Sequence, residues 1–275
     1  MSVFNDAIDN LLSPIKDLLD DEAVSEVMIN GPSEIFVEKK GLVYKTPNAF
    51  SSEDSLISAM RAIAQSVGRV IDADNPRLDA RLPDGSRIHV VLPPMAKNGT
   101  TVAIRKFSKE KLTINDLVSF GSLSKSAARF LDICIHLGKN IIVSGGTGSG
   151  KTTMLNVLGS RIPKTQRLLI IEDAAELQVK AEHVVNFETR KADPTRGIEE
   201  VTIRELVISA MRLRPDRIIV GEVRGEEALD LIQVMNTGHD GSMGTVHANN
   251  PVDACTRLET LCLMGDTKIP PDAVR

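Results

Sequence analysis

The chain has 275 residues, enough for two modest domains that each bury a core, and its net charge at pH 7 is −4. That charge argues against a protein whose main business is coating nucleic acid, because such affinity comes from clustered cationic side chains releasing counterions. Its three cysteines, Cys134, Cys255 and Cys262, are an odd number without Cys-x-x-Cys spacing and read as reduced core residues, which suggests a cytoplasmic chain.

Residues 1–19 lack the basic start and long apolar block of a signal peptide. Nowhere do about eighteen apolar residues run together, so no transmembrane segment is expected. Within 6–19, Ile8, Leu11, Leu12, Ile15, Leu18 and Leu19 keep a helical spacing that Pro14 interrupts. Strands follow over 24–29 and 34–45, the second folding into a hairpin at Lys39-Lys40-Gly41. Leu56, Met60, Ile63 and Val67 share one stripe, which predicts a helix capped by Ser51 or Ser52 and stopped at Gly68. A second hairpin joins 78–82 to 87–92 through a turn containing Asp84-Gly85-Ser86, and 100–106 is a further strand. Strands and a helix without regular βαβ alternation predict an α+β domain over 1–107. The polar, turn-rich stretch 108–122 reads as the connection between domains.

From 123 onward helices and strands alternate as a doubly wound sheet requires. Helices are expected over 124–136, 202–213, 226–236 and 252–264, with strands over 140–143, 167–172, 184–189, 217–220 and 243–247. Between the first of these strands and the helix after it lies Gly145-Gly146-Thr147-Gly148-Ser149-Gly150-Lys151-Thr152-Thr153. Gly145, four intervening residues, then Gly150-Lys151-Thr152 is the phosphate-binding P-loop spacing. Glycines let the backbone curl so that successive N–H groups face a polyphosphate, and the helix N-terminus adds partial positive charge. Lys151 would reach the β- and γ-phosphates, and the Thr152 hydroxyl would hold Mg²⁺.

In an open parallel sheet, ligands sit beyond the carboxyl ends of the strands. Three such ends carry chemistry: Glu172-Asp173 with Glu176 one turn on, Glu222 with Arg224 beside it, and His247, preceded by His239 in the connecting loop. Glu222, after Ile218-Ile219-Val220, is the first choice for a Walker B acid that orders Mg²⁺ or polarises water. Glu172 is the second carboxylate, and spacing alone leaves open which of the two activates water. His247 is a candidate γ-phosphate sensor by its place at a strand end. Arg81, Arg87 and Arg105 lie on or beside strands of the first domain; an arginine there can act as a finger toward the γ-phosphate.

Residues 145–152, 171–176, 211–224 and 236–249 resemble, in that order, the Walker A, Asp box, Walker B and His box of the type II/type IV secretion and pilus ATPases. The wording is most similar to the CpaF/TadA branch, the motors of tight-adherence (Tad/Flp) pili, and the likeness runs from about Val24 onward. The resemblance implies an α/β fold: a RecA-like P-loop motor domain over 123–275 preceded by a smaller, PAS-like α+β domain. It implies a homohexameric ring on the cytoplasmic face of the inner membrane, partnered by a platform protein of a pilus or secretion machine. ATP/ADP with Mg²⁺ would sit between the domains. Matched residue by residue, Lys151 and Thr152 belong to the Walker A, Glu172 and Glu176 to the Asp box, Glu222 to the Walker B, and His239 and His247 to the His box. Arg87 and Arg105 fall where family members place arginines that approach phosphate. Family members continue past the His-box helix into a C-terminal helical region that this chain is expected to lack.

Two other classes compete with an ATP-hydrolysing motor. A nucleic-acid motor on the same core needs a cationic channel and stacking aromatics, and one tyrosine (Tyr44), seven phenylalanines and no tryptophan make that equipment thin. A ring subunit that binds ATP as a structural gate would show no useful turnover.

Overall fold

The computed structural model describes residues 10–82, 84–107, 112–192 and 197–264. The chain divides into two units, Met1–Glu110 and Lys111–Arg275.

In the first unit a 3₁₀ turn, Ser13–Ile15, leads into α1, Lys16–Asp20, with Pro14 in the opening turn where it displaces no needed N–H. Then come β1 (Val24–Asn30), β2 (Ile35–Lys39), β3 (Leu42–Lys45), α2 (Glu53–Ser66), β4 (Arg77–Arg81), β5 (Arg87–Val91) and β6 (Thr101–Arg105). The strands form one antiparallel sheet in the order β3-β2-β1-β6-β5-β4. Val27, Ile29, Ile35, Val37, Ile88, Val90, Val102 and Ile104 all point to the face that packs with α2, through Leu56, Met60 and Ile63. The Ser52 hydroxyl accepts the N–H of Ser55, and the Ser55 hydroxyl reaches back to Ser52, so α2 starts where the sequence places it.

The second unit carries α3 (Ile114–Ser119), α4 (Lys125–His136), β7 (Ile141–Gly145), α5 (Lys151–Gly159), β8 (Leu168–Glu172), β9 (Val184–Glu188), α6 (Ile203–Ala210), β10 (Arg217–Val223), α7 (Glu227–Asn236), β11 (Met243–His247) and α8 (Pro251–Cys262). Its sheet is parallel throughout, in the order β7-β11-β10-β8-β9. Successive residues of β10 feed opposite faces: Ile218 and Val220 pack with α6, α7 and α8, whereas Ile219 packs with α4 and α5. Helices on both faces explain why β8 is buried from end to end.

Within the stretch 108–122 the chain forms α3, because Thr113 and Asp116 cap each other reciprocally and Leu117 is buried; residues 108–111 lie outside those described. One expectation needs correction. Of the cysteines, Cys262 is buried and Cys134 half-buried, but Cys255 faces solvent on α8, and all three are free thiols. Among the described residues no helix is long and apolar enough to cross a membrane.

Candidate nucleotide-binding site

β7 delivers the chain into the glycine-rich loop at Gly145, and α5 begins at Lys151. Gly148 and Gly150 take positive φ, 71° and 91°, a conformation that side chains resist and that turns the loop back over the helix start. Gly150 caps α5 without a side chain, whereas Ser52, Thr202 and Asn250 each cover a first-turn N–H of their helices. The opening N–H groups and the positive end of the α5 dipole therefore face the loop. Lys151 Nζ and the Ser149 hydroxyl both donate to the Gly146 carbonyl, at 2.7 and 2.8 Å. Thr152 and Thr153 are half-buried in the first turn of α5.

The neighbouring strand tips supply the acid and the imidazole. His247 is in register with Gly145 across the β11–β7 ladder, which puts it beside the loop. Its Nε2 lies 3.3 Å from the Thr147 hydroxyl, and its Nδ1 lies 3.4 Å from Glu222 Oε1. Glu222 gets there through an irregularity. Val220 pairs with Gly244 but Val223 pairs with Val246, so β10 carries one extra residue, a bulge at Gly221-Glu222. The Thr245 hydroxyl donates to the Gly221 carbonyl at 2.7 Å, a side-chain bond made within the bulge. Glu222 Oε2 accepts from Arg224.

Burial is the largest influence on Glu222 and raises its carboxyl. Arg224, His247 and Lys151 together outweigh it, holding the group below its ordinary value and ionised at neutral pH. Arg224 is correspondingly raised, chiefly by Glu222.

Glu172 ends β8 with 4% exposure, and its Oε1 accepts the N–H groups of Glu176 and Leu177 at 2.8 and 2.9 Å. It thus ties down the loop after its own strand. Gly221 makes room for it: a Cβ there would stand 2.8 Å from Glu172 Cγ. Glu176, half-buried on that loop, adds negative charge near Arg224.

The second unit therefore brings Thr147, Lys151, Glu222 and His247 together, with Glu172 packed against the bulge. It does not bring in His239. His239 precedes β11, at the amino edge of the parallel sheet, whereas His247 and the glycine loop stand at the carboxyl edge. Asn140 anchors the His239 loop at that far edge by accepting the N–H groups of Gly241 and Ser242. Arg87 and Arg105 belong to the first unit and are cross-strand partners there, with Arg81 opposite Arg87 in the same row. Arg87 forks onto Asp79 through Nε and Nη2, at 3.2 and 3.1 Å.

Sequence reasoning missed the bulge and treated Arg224 only as a partner for Glu222. The signals were present: glycine within an apolar strand run, and a Glu-x-Arg spacing that puts both charges on one strand face.

A polyphosphate fits this cradle because its donors are backbone N–H groups, a lysine and a helix dipole. Among the described residues no group of three or more His, Cys, Asp and Glu is arranged to hold a metal ion. A divalent ion here would depend on phosphate oxygens as well as protein groups, the usual situation for Mg²⁺.

A family model described as Type II/IV secretion system protein matches residues 9–269. An uncharacterized protein of Methanocaldococcus jannaschii is 43% identical over 231 residues; the match covers 82% of this chain but 32% of that protein, so the chain spans about a third of that relative. The type IV secretion system protein VirB11 of Brucella suis is 36% identical over 279 residues, 92% of this chain and 76% of its own length. The crystal structure of the pilus retraction motor PilT with bound ADP shares the fold, with a TM-score of 0.65 at 22% identity, covering 97% of this chain and 73% of that one. A model matched over nearly the whole length, on a chain whose glycine loop, bulged acidic strand and histidine strand converge, identifies the chain as a member of the type II/IV secretion system protein family.

Proposed function

We propose that this chain is a Mg²⁺-dependent ATPase, the motor subunit of a pilus-assembly or secretion machine, with the nucleotide phosphates in the 145–153 loop. The observation that carries the reading is the placement of Glu222 and His247 beside Thr147 and near Lys151. That PilT was crystallised with ADP supports nucleotide as the ligand.

In this reading the loop N–H groups and Lys151 bind and orient the β- and γ-phosphates, and Thr152 and Glu222 hold Mg²⁺. The metal, when bound, neutralises charge on the phosphate oxygens. Glu222, ionised and half-buried, orients the attacking water and accepts its proton. His247 contacts both the loop and Glu222, which suits it to report the γ-phosphate. Glu172 serves by fixing the 176–177 loop, so the water-activating role goes to Glu222. The two domains are taken as 1–107 and 123–275, joined through 108–122. Assembly is a homohexameric ring, peripherally attached to the cytoplasmic face of the inner membrane through a platform protein, within the tight-adherence pilus branch.

Steady-state phosphate release with Mg-ATP tests this. Turnover that falls at least about 100-fold in Glu222→Gln supports it, and turnover equal to the unmodified chain contradicts it.

A further inference from the structure

Beyond the residues assigned above, one charged side chain at the carboxyl edge of the parallel sheet is held in an unusually determined way. Arg224 follows β10 directly. Its N–H and that of Gly225 donate to Glu227 Oε1, at 2.6 and 2.9 Å, and Glu227 is buried in the first turn of α7. The backbone of Arg224 is fixed by this bond pair while its side chain stays 62% exposed. The guanidinium spans carboxylates from two strand tips. Nη2 donates to Glu222 Oε2, and Nη1 lies 3.6 Å from Asp173 Oδ2, just beyond β8. Asp173 is braced in turn: the Thr189 hydroxyl, beyond β9, donates to its carbonyl at 3.1 Å.

Ion pairs this exposed contribute little to stability, so the arrangement calls for another consequence. The consequence lies in how Glu222 is turned. With Oε2 occupied by Arg224, Oε1 is the oxygen directed at His247 and, through it, at the glycine loop. A planar guanidinium defines the orientation of a carboxylate in a way that a flexible ammonium does not.

We propose that Arg224 is a positioning residue for Glu222, tying the orientation of that carboxylate to Asp173 at the tip of β8. The role rests on the reading of Glu222 as the acid that orients water. Nucleotide affinity depends on the glycine loop and Lys151, which Arg224 does not touch. The inference therefore places its effect on turnover, where a misplacement of about 1 Å can cost on the order of 100-fold.

The test is steady-state phosphate release against Mg-ATP concentration for the unmodified chain, Arg224→Ala, Arg224→Lys, Asp173→Asn and the Arg224→Ala/Asp173→Asn pair. Expected is a kcat loss of about 10- to 100-fold in Arg224→Ala with KM within about twofold, and partial recovery in Arg224→Lys. Asp173→Asn loses less, and the double variant is no worse than Arg224→Ala, because both act through one guanidinium. Unchanged kcat in Arg224→Ala overturns the role while leaving the hydrolytic reading intact. A loss confined to KM, or losses that multiply in the double variant, also overturn the role alone. An unmodified chain that binds Mg-ATP without turning it over overturns both.

Discussion

Oε1 of Glu222 stands 3.4 Å from Nδ1 of His247 although 25 positions separate them, and a one-residue bulge in β10 is what lets the acid face the histidine. Glu222→Gln keeps the volume and loses the charge and the proton acceptor. Mg-ATP affinity should stay within a few-fold while phosphate release falls by about 100-fold or more, the range of a lost general base. Parallel calorimetry and phosphate-release measurements check this; a variant that loses binding as well would make holding Mg²⁺ the main role of Glu222 and contradict its role as proton acceptor.

The bulge depends on Thr245. Thr245 is 2% exposed, and its hydroxyl donates to the Gly221 carbonyl at 2.7 Å. Thr245→Val preserves the shape and strands that carbonyl, so urea denaturation should show a loss of about 1–3 kcal/mol. Turnover should fall with it, because the same carbonyl fixes the residue before Glu222. Unaltered stability would show that the bulge holds itself.

Asp230 gives a pH signature on the opposite face of the sheet. Burial raises its carboxyl above the ordinary 3.8; Arg204, 3.2 Å away, pulls it back in part, and Glu226 and Glu227 push it further up. The folded chain therefore holds this proton through a window in which the unfolded chain has released it. Stability then declines as pH rises from about 3.8 through the raised value and stays lower above it. Asp230→Asn removes that decline, and Arg204 keeps Glu226 at 2.8 Å. The variant should be more stable than the unmodified chain at pH 7, with the advantage shrinking toward pH 4. Urea midpoints at the two pH values check this, and an advantage independent of pH would contradict it.

Glu172→Ala should act through the loop after β8. With the acceptor for the Glu176 and Leu177 N–H groups gone, two donors lose their partner and the chain should lose about 2 kcal/mol or more. Hydrogen exchange at Glu176 and Leu177 should quicken more than exchange in β7. Equal protection at both places would show that the loop is held by other contacts.

Much of this was legible in the sequence where one physical signal dominates. The glycine loop between an apolar strand and a helix, and the α2 stripe with its serine cap, are written in residue types and spacing. The β10 bulge was not, because register is a property of two strands and an apolar run does not reveal which neighbour it pairs with. Thr113 and Asp116 signalled α3, but turn residues around them masked a helix only six residues long. His239 is near His247 in sequence, yet β11 carries the two histidines to opposite edges of the sheet, a separation that spacing along the chain does not show. Cys255 misled because α8 is apolar on one side only, and Cys262 rather than Cys255 lies on that side.

The central claim is that a triphosphate is bound at Lys151 and its terminal group is met by Glu222 and His247. Isothermal calorimetry of the unmodified chain and of Lys151→Ala with Mg-ATP tests it most directly. The account predicts a saturable heat near one nucleotide per chain that Lys151→Ala abolishes or weakens by at least about 10-fold, the equivalent of about 1.4 kcal/mol. No heat of binding from well-folded chain, or equal affinity in both proteins, would contradict it.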